Sequence, residues 1–199
     1  MTRRGRPAAG SELDAQTWLQ AAIEVLDERG PERFTLGAVA TQVGATTMAL
    51  YRHFEGKQDL LDGAVATVLA VPPAGASVED SFTDLRVRFM AHPWIARLLL
   101  EGRASQPYAL ATSERMVRGL LDAGLSAQQA HVAWQLMLGI LVATASQAAA
   151  GPPPSPPPSL EAYPSLAQVT AALTDIKAEE MPQQLVRAIL AGARTINEP

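Results

Sequence analysis

The chain has 199 residues, 48% of them hydrophobic, with 16 Lys and Arg against 20 Asp and Glu and a formal net charge of −4. That length and apolar share allow one sizeable core or two closely joined ones, and the absence of cysteine excludes disulfides, thiol catalysis and cysteine-ligated zinc. The histidines His53, His92 and His131 lie far apart, and there is no clustered carboxylate set, nucleophile motif or phosphate loop, so an enzyme is not expected, nor a metal or cofactor.

The chain opens with Thr2-Arg3-Arg4-Gly5-Arg6-Pro7. Arg3, Arg4 and Arg6 form a basic arm of the kind that contacts phosphates or enters a minor groove, although a solvated tail has the same composition. No apolar stretch follows the charges as in a secretion signal, which points to the cytoplasm. A first helix is predicted from about Glu12 to Arg29, stopped by Gly30-Pro31. Leu36, Val39, Ala40 and Val43 then recur at helical spacing, and Gly44 supplies the freedom for a sharp turn. In a second short helix, capped by Thr46, Leu50 and Phe54 face the core. Thr47, Tyr51, Arg52 and His53 are left pointing elsewhere, with Lys57 just beyond.

That is the layout of a helix-turn-helix, which aims the side chains of its second helix into the major groove of DNA. A helical hairpin inside an all-helical core has the same spacing. On the DNA reading, Tyr51 and His53 donate to phosphates, while Thr47, Met48 and Ala49 meet base edges and thymine methyls. Arg52 either joins them or pairs with Glu55. Gly56 is the expected N-cap of the next helix, Asp59 helps satisfy its amides, and Lys57 in its first turn offers a charge beside exposed N–H groups. Residues 1–57 hold seven basic and seven acidic side chains, and residues 58–199 hold nine and thirteen. The basic groups of the first part cluster at the expected DNA surface, so a salt-dependent footprint is predicted.

Helical signals continue and no strand pattern appears. A helix from Lys57 to about Ala70 is stopped by Pro72-Pro73. Ser77 caps another, with Phe82, Leu85 and Phe89 on one side, ending near His92-Pro93. Trp94–Glu101 and Pro107–Ala123 follow, then a long helix capped by Ser126 with Gln129 and reaching Ala150. Gly151–Ser159, with six prolines, is a stiff connector, and two more helices cover Leu166–Ile176 and Pro182–Arg194. Val132–Ala150 has no ionisable residue, but its alanines, Gln135, Thr144, Ser146 and Gln147 make it weakly apolar for a membrane span. A buried helix explains it better, and no membrane partner is expected. Its small residues Ala133, Gly139, Ala143 and Ser146, with Leu185, Val186, Ile189 and Leu190 near the end, predict a four-helix homodimer interface.

The residues proposed to line a pocket for an apolar or aromatic effector are His92, Trp94, Arg97, Arg103, Gln106, Tyr108, Met116, His131, Trp134 and Gln135. A Trp or Met at helical spacing is more often plain core, and a lone His there more often a satisfied core residue.

The sequence resembles the tetracycline-repressor (TetR) family of bacterial transcription regulators. The residues that carry the resemblance are Ala21-Ala22-Ile23-Glu24-Val25-Leu26-Asp27-Glu28-Arg29-Gly30, Phe34-Thr35-Leu36, Val39-Ala40, Val43-Gly44-Ala45, Leu50-Tyr51-Arg52-His53-Phe54, Lys57 and Leu60-Leu61. The likeness covers roughly 14–65. It implies that Thr35, Thr46, Thr47, Ala49, Tyr51, His53 and Lys57 face DNA. It also implies an all-α fold: a basic arm at 1–10, a three-helix helix-turn-helix domain at 11–56, and a helical ligand-binding and dimerisation bundle at 57–199. Gly37 departs from the family, whose members often carry a polar or basic residue there. The region from His92 to Leu125 resembles, less specifically, the sensor domain of the tetracycline-repressor branch, without identifying a ligand. The expected function is that of a ligand-responsive repressor that grips a near-palindromic double-stranded DNA operator as a homodimer and is released by a small-molecule effector. A ligand-independent DNA binder or activator of the same fold is the alternative.

Overall fold

The computed structural model describes residues 13–70, 76–102, 106–151, 159, 162–174 and 180–196, and among these it is helical throughout, with no strand. The chain forms two compact units, Met1–Ala70 with His92–Leu110 and Val71–Ala91 with Ala111–Pro199. The arm residues Arg3, Arg4 and Arg6, the candidate Arg103 and most of the proline-rich stretch lie outside the described residues.

In the first unit, α1 (Ala15–Arg29) begins where Asp14 accepts the Thr17 amide at 2.8 Å, and it ends at Gly30, whose φ of 72° suits glycine. Trp18, Ala21, Ala22, Ile23, Val25 and Leu26 fill its inner side. After a 3₁₀ turn at Pro31–Arg33 come α2 (Leu36–Val43), α3 (Thr47–Leu50), α4 (Lys57–Val68) and, later in the chain, α6 (Trp94–Leu100). The sequence reading assigned α4 to the C-terminal part of the chain. It instead packs on α1, burying Leu60, Leu61, Ala64 and Val65. Gly63 permits the close approach, since a Cβ there would stand 2.6 Å from a methyl of Leu19.

In the second unit, α5 (Val78–Ala91) starts where Ser77 Oγ accepts the Asp80 amide at 3.0 Å. It packs Phe82, Leu85 and Phe89 against α8 (Ala127–Ala150) and α10 (Met181–Ala193), which contribute Trp134, Met137, Leu141, Val186 and Leu190. Each such side chain contributes about 1.5–3 kcal/mol on burial. The expected capping box of α8 is present, Ser126 and Gln129 each accepting the other's backbone N–H. The helix α7 (Gln106–Asp122) turns Met116 and Leu120 inward, and α9 (Pro164–Thr174) follows the long helix in sequence.

The expectation of a buried α8 holds for one face only. The helix is long and apolar enough to cross a membrane, with mean hydropathy 1.4, yet only 28% of that stretch is buried within one copy. Ala130, Ala133, Trp134, Met137, Leu141 and Ala145 face inward, and Leu136 is 52% exposed on the other side.

Candidate nucleic-acid interface

The turn between α2 and α3 is built from backbone hydrogen bonds. Thr35 caps α2, its hydroxyl accepting the Ala38 amide at 3.1 Å. At the other end the Gly44 amide donates to Thr41 C=O (3.1 Å) and the Ala45 amide to Ala40 C=O (2.9 Å), the paired bonds of a Schellman closure. Gly44 takes φ 70° and ψ 29°, a left-handed conformation costing other residues about 1–2 kcal/mol. Glu24 of α1 accepts from Gln42 at 2.8 Å and from Gln20 at 3.3 Å, joining α2 to α1.

The expected second helix is four residues of α-helix followed by a turn over 51–53. The turn closes through the His53 and Phe54 amides on Leu50 C=O at 2.9 and 3.1 Å. So short a helix has no independent stability, and the fully buried Leu50 with Phe54 fixes it to the unit. Thr46 occupies the N-cap position, but its side chain makes no capping bond, contrary to the sequence expectation. Its hydroxyl is left at the exposed surface.

Leu50 and Phe54 point inward, and on the opposite side Thr46, Met48, Tyr51, Arg52 and His53 are exposed, with Thr47 and Ala49 half-buried. Met48 is 74% exposed, far beyond what a core side chain shows. Thr35 is exposed at the start of α2 and Lys57 at the start of α4. Lys57 Nζ stands 5.9 Å from the centroid of the buried Phe34 ring, which steadies its stem. Asp59 reaches back to accept the Glu55 amide at 2.9 Å, and Gly56 precedes α4 as expected. Hydrogen bonds from the Thr17 hydroxyl, then the Thr17 amide, hold the Asp14 carboxyl below its usual range, with a smaller contribution from the His53 charge. Because the folded value is the lower one, this cap is intact above the ordinary carboxylate range and is lost as pH falls through the depressed value.

The residues expected to line an effector pocket fall in both units. His92, Trp94 and Arg97 belong to the first unit and are engaged there by acids: His92 and Trp94 by Asp27, Arg97 by Glu32 and Glu101. Tyr108 is exposed in the same unit. Trp134 and Met116 are core residues of the second unit, and His131 and Gln135 are exposed on α8. The side chain of Gln106, like all of Arg103, is outside the described residues. Of the ten, Met116 lines a cleft of about 600 Å³ in the second unit, with Val78, Ser81, Glu114, Arg115, Arg118 and Asp122 around it. Asp27, Glu24 and Gln42 were not anticipated. Their partners are distant in sequence, so no local pattern marks them.

The described residues are helical and present a short exposed helix beyond a Schellman turn, which is the build of a helix-turn-helix. Residues 19–64 match the family described as bacterial regulatory proteins, tetR family. An HTH-type transcriptional regulator of Saccharopolyspora erythraea is 32% identical over 114 residues, 53% of this chain and 48% of that protein. The chain thus spans about half the length of that relative. The HTH-type transcriptional repressor DrrR1 of Streptomyces coeruleorubidus is 24% identical over 200 residues, 95% of this chain and 69% of its own. Among solved structures, a TetR transcriptional regulator from Streptomyces coelicolor superposes with a TM-score of 0.67 at 22% identity, covering 94% of this chain and all of that one. Residues 19–64 thus match the DNA-binding domain family of the TetR regulators, and the chain as a whole has the fold of a solved member.

Proposed function

We propose that the protein is a repressor that binds a near-palindromic operator as a homodimer and leaves it when a small molecule binds the second unit. The observation that carries this reading is the outward face of α3. It bears hydroxyls, a phenol, an imidazole, a guanidinium and one apolar Met48, with Lys57 beside it. Tyr51, His53, Thr35 and Lys57 serve the phosphates, the α4 N-terminus adding its amides. Thr46, Thr47, Met48, Ala49 and Arg52 meet base edges, and Arg3, Arg4 and Arg6 add charge along the backbone. The family match over residues 19–64 and the repressor name of the Streptomyces coeruleorubidus relative support the regulatory sense.

The dimer is supported by α8 and α10. Val132 and Leu136 face Leu185, Ala188, Ile189 and Gly192 across an apolar groove of about 370 Å³ that a single copy leaves uncovered. Four helices from two copies close such a face. Two recognition helices then reach successive major grooves, about 34–36 Å apart. For the effector, the cleft beside Met116 pairs apolar Val78 with charged Glu114, Arg115, Arg118 and Asp122. That lining suits a molecule with an apolar or aromatic body and polar edges. A ligand that empties the DNA-bound state requires about 5.5 kcal/mol of preference for the displaced one.

A mobility-shift titration with the DNA upstream of the gene tests the reading. Tyr51→Ala and Lys57→Ala are expected to fold normally and lose the shift, and Lys57→Ala to lower the salt dependence by about one ion per protomer. Parental binding by both variants would sink the assignment.

A further inference from the structure

Helix α6 joins the first unit through a polar corner that DNA contact does not use. His92 is the residue at which the chain, leaving α5 in the second unit, returns to the first. There Asp27, near the end of α1, holds both sides of Pro93. His92 Nδ1 lies 2.8 and 3.1 Å from its two carboxylate oxygens, and Trp94 Nε1–H donates to Oδ1 at 2.7 Å. A carboxylate only accepts, so the satisfied His92 is the form with its proton on Nδ1. The Trp94 residue is 4% exposed and its ring tilts against His92 with centroids 6.2 Å apart. A second link runs from Arg97 to Glu32 at 2.9 Å, but these side chains are 55% and 44% exposed, and such pairs contribute little. In the Asp27 link the side chains of His92 and Asp27 are 25% and 32% exposed and the indole it accepts from belongs to a buried residue, so it is the more enclosed of the two.

We propose that Asp27 is a positioning residue for operator binding. Its carboxylate clasps the His92-Pro93-Trp94 corner to α1, and through α1 sets the seat of the DNA-facing helices. The proposal rests on the DNA-binding function above. The same α1 that carries Asp27 packs on α4 through Leu19 and Gly63 and holds α2 through Glu24 and Gln42. A surface that must match a groove tolerates only about 0.5 Å of displacement.

The test uses the full chain and a duplex that the parent protein enriches from a random-sequence pool. Asp27→Ala is expected to bind that duplex about tenfold more weakly or worse, and Trp94→Phe, which keeps an aromatic ring but removes the N–H with part of the indole, to weaken it in the same sense. The double variant is expected to be no weaker than the weaker single one, because both break one clasp, and Glu32→Ala is expected to stay close to the parent. Asp27→Asn, whose amide oxygen still accepts from the indole, is expected to fall in between. Circular dichroism and oligomeric state stay parental throughout. If Asp27→Ala does not fold, Trp94→Phe and Asp27→Asn decide. Parental affinity in Trp94→Phe and in whichever Asp27 variants fold overturns the clasp while leaving the function standing. Losses that simply add and follow the melting temperature overturn it also. A parent that enriches no duplex overturns the function, and the clasp with it.

Discussion

Two helical surfaces of this chain stand without cover, one around α3 and the start of α4, the other along α8 and α10. The first is polar and cationic around one exposed methionine: Thr46, Tyr51, Arg52, His53 and Lys57 with Met48. The second is apolar, Leu136 standing among the small residues Gly139 and Ala143 on α8 and Ala188 and Gly192 on α10. Exposure alone therefore does not identify a partner, and chemistry separates the two. Donors and charges at the tip of a docked helix suit phosphates and base edges. A face free of charge that one copy leaves open suits a surface of its own kind, since burying it costs no ionic desolvation.

The comparison is most easily broken at α8. Leu136→Glu places a charge on the apolar face without touching the core of one copy. The protein is expected to run as a monomer in light scattering, and its operator affinity to fall by roughly 10²–10⁴, the advantage of two linked sites. A dimer that survives this change removes α8 from the interface. On the DNA side, Leu50→Ala removes the anchor beneath α3 and is expected to cost about 2–5 kcal/mol of stability in denaturant unfolding, together with the mobility shift. Loss of stability without loss of DNA binding would show that α3 is not the reading element. The smallest effect sharpens the contrast between turn and surface. Gly44→Ala is expected to lose about 1–2 kcal/mol through its left-handed backbone, with weaker DNA binding although no DNA-facing side chain is altered.

Much of this protein is written locally. Periodic apolar residues, Gly30-Pro31, Gly44, Ser77 and the Ser126–Gln129 pair mark helices and their ends, because capping and turn preferences act within a few residues. The exposed set on α3 follows as well, since Leu50 and Phe54 fix its inward side and leave Tyr51, Arg52 and His53 outside. The pocket candidates show where that legibility stops. His92, Trp94 and Arg97 look like ligand donors in sequence, but their partners Asp27 and Glu32 are some sixty-five residues away. No periodicity encodes such a meeting.

The sequence by itself thus determined the helical class, the turn and which face of the short helix looks outward. Only the tertiary structure decided that α4 packs on α1, that α3 shrinks to a single turn, that α8 covers one face and leaves another open, and that Asp27 occupies the polar groups of the α6 corner. The physical reason is range. Backbone hydrogen bonding and helical period are settled between near neighbours, whereas a buried indole or a glycine-sized gap finds its partner only after the helices have packed.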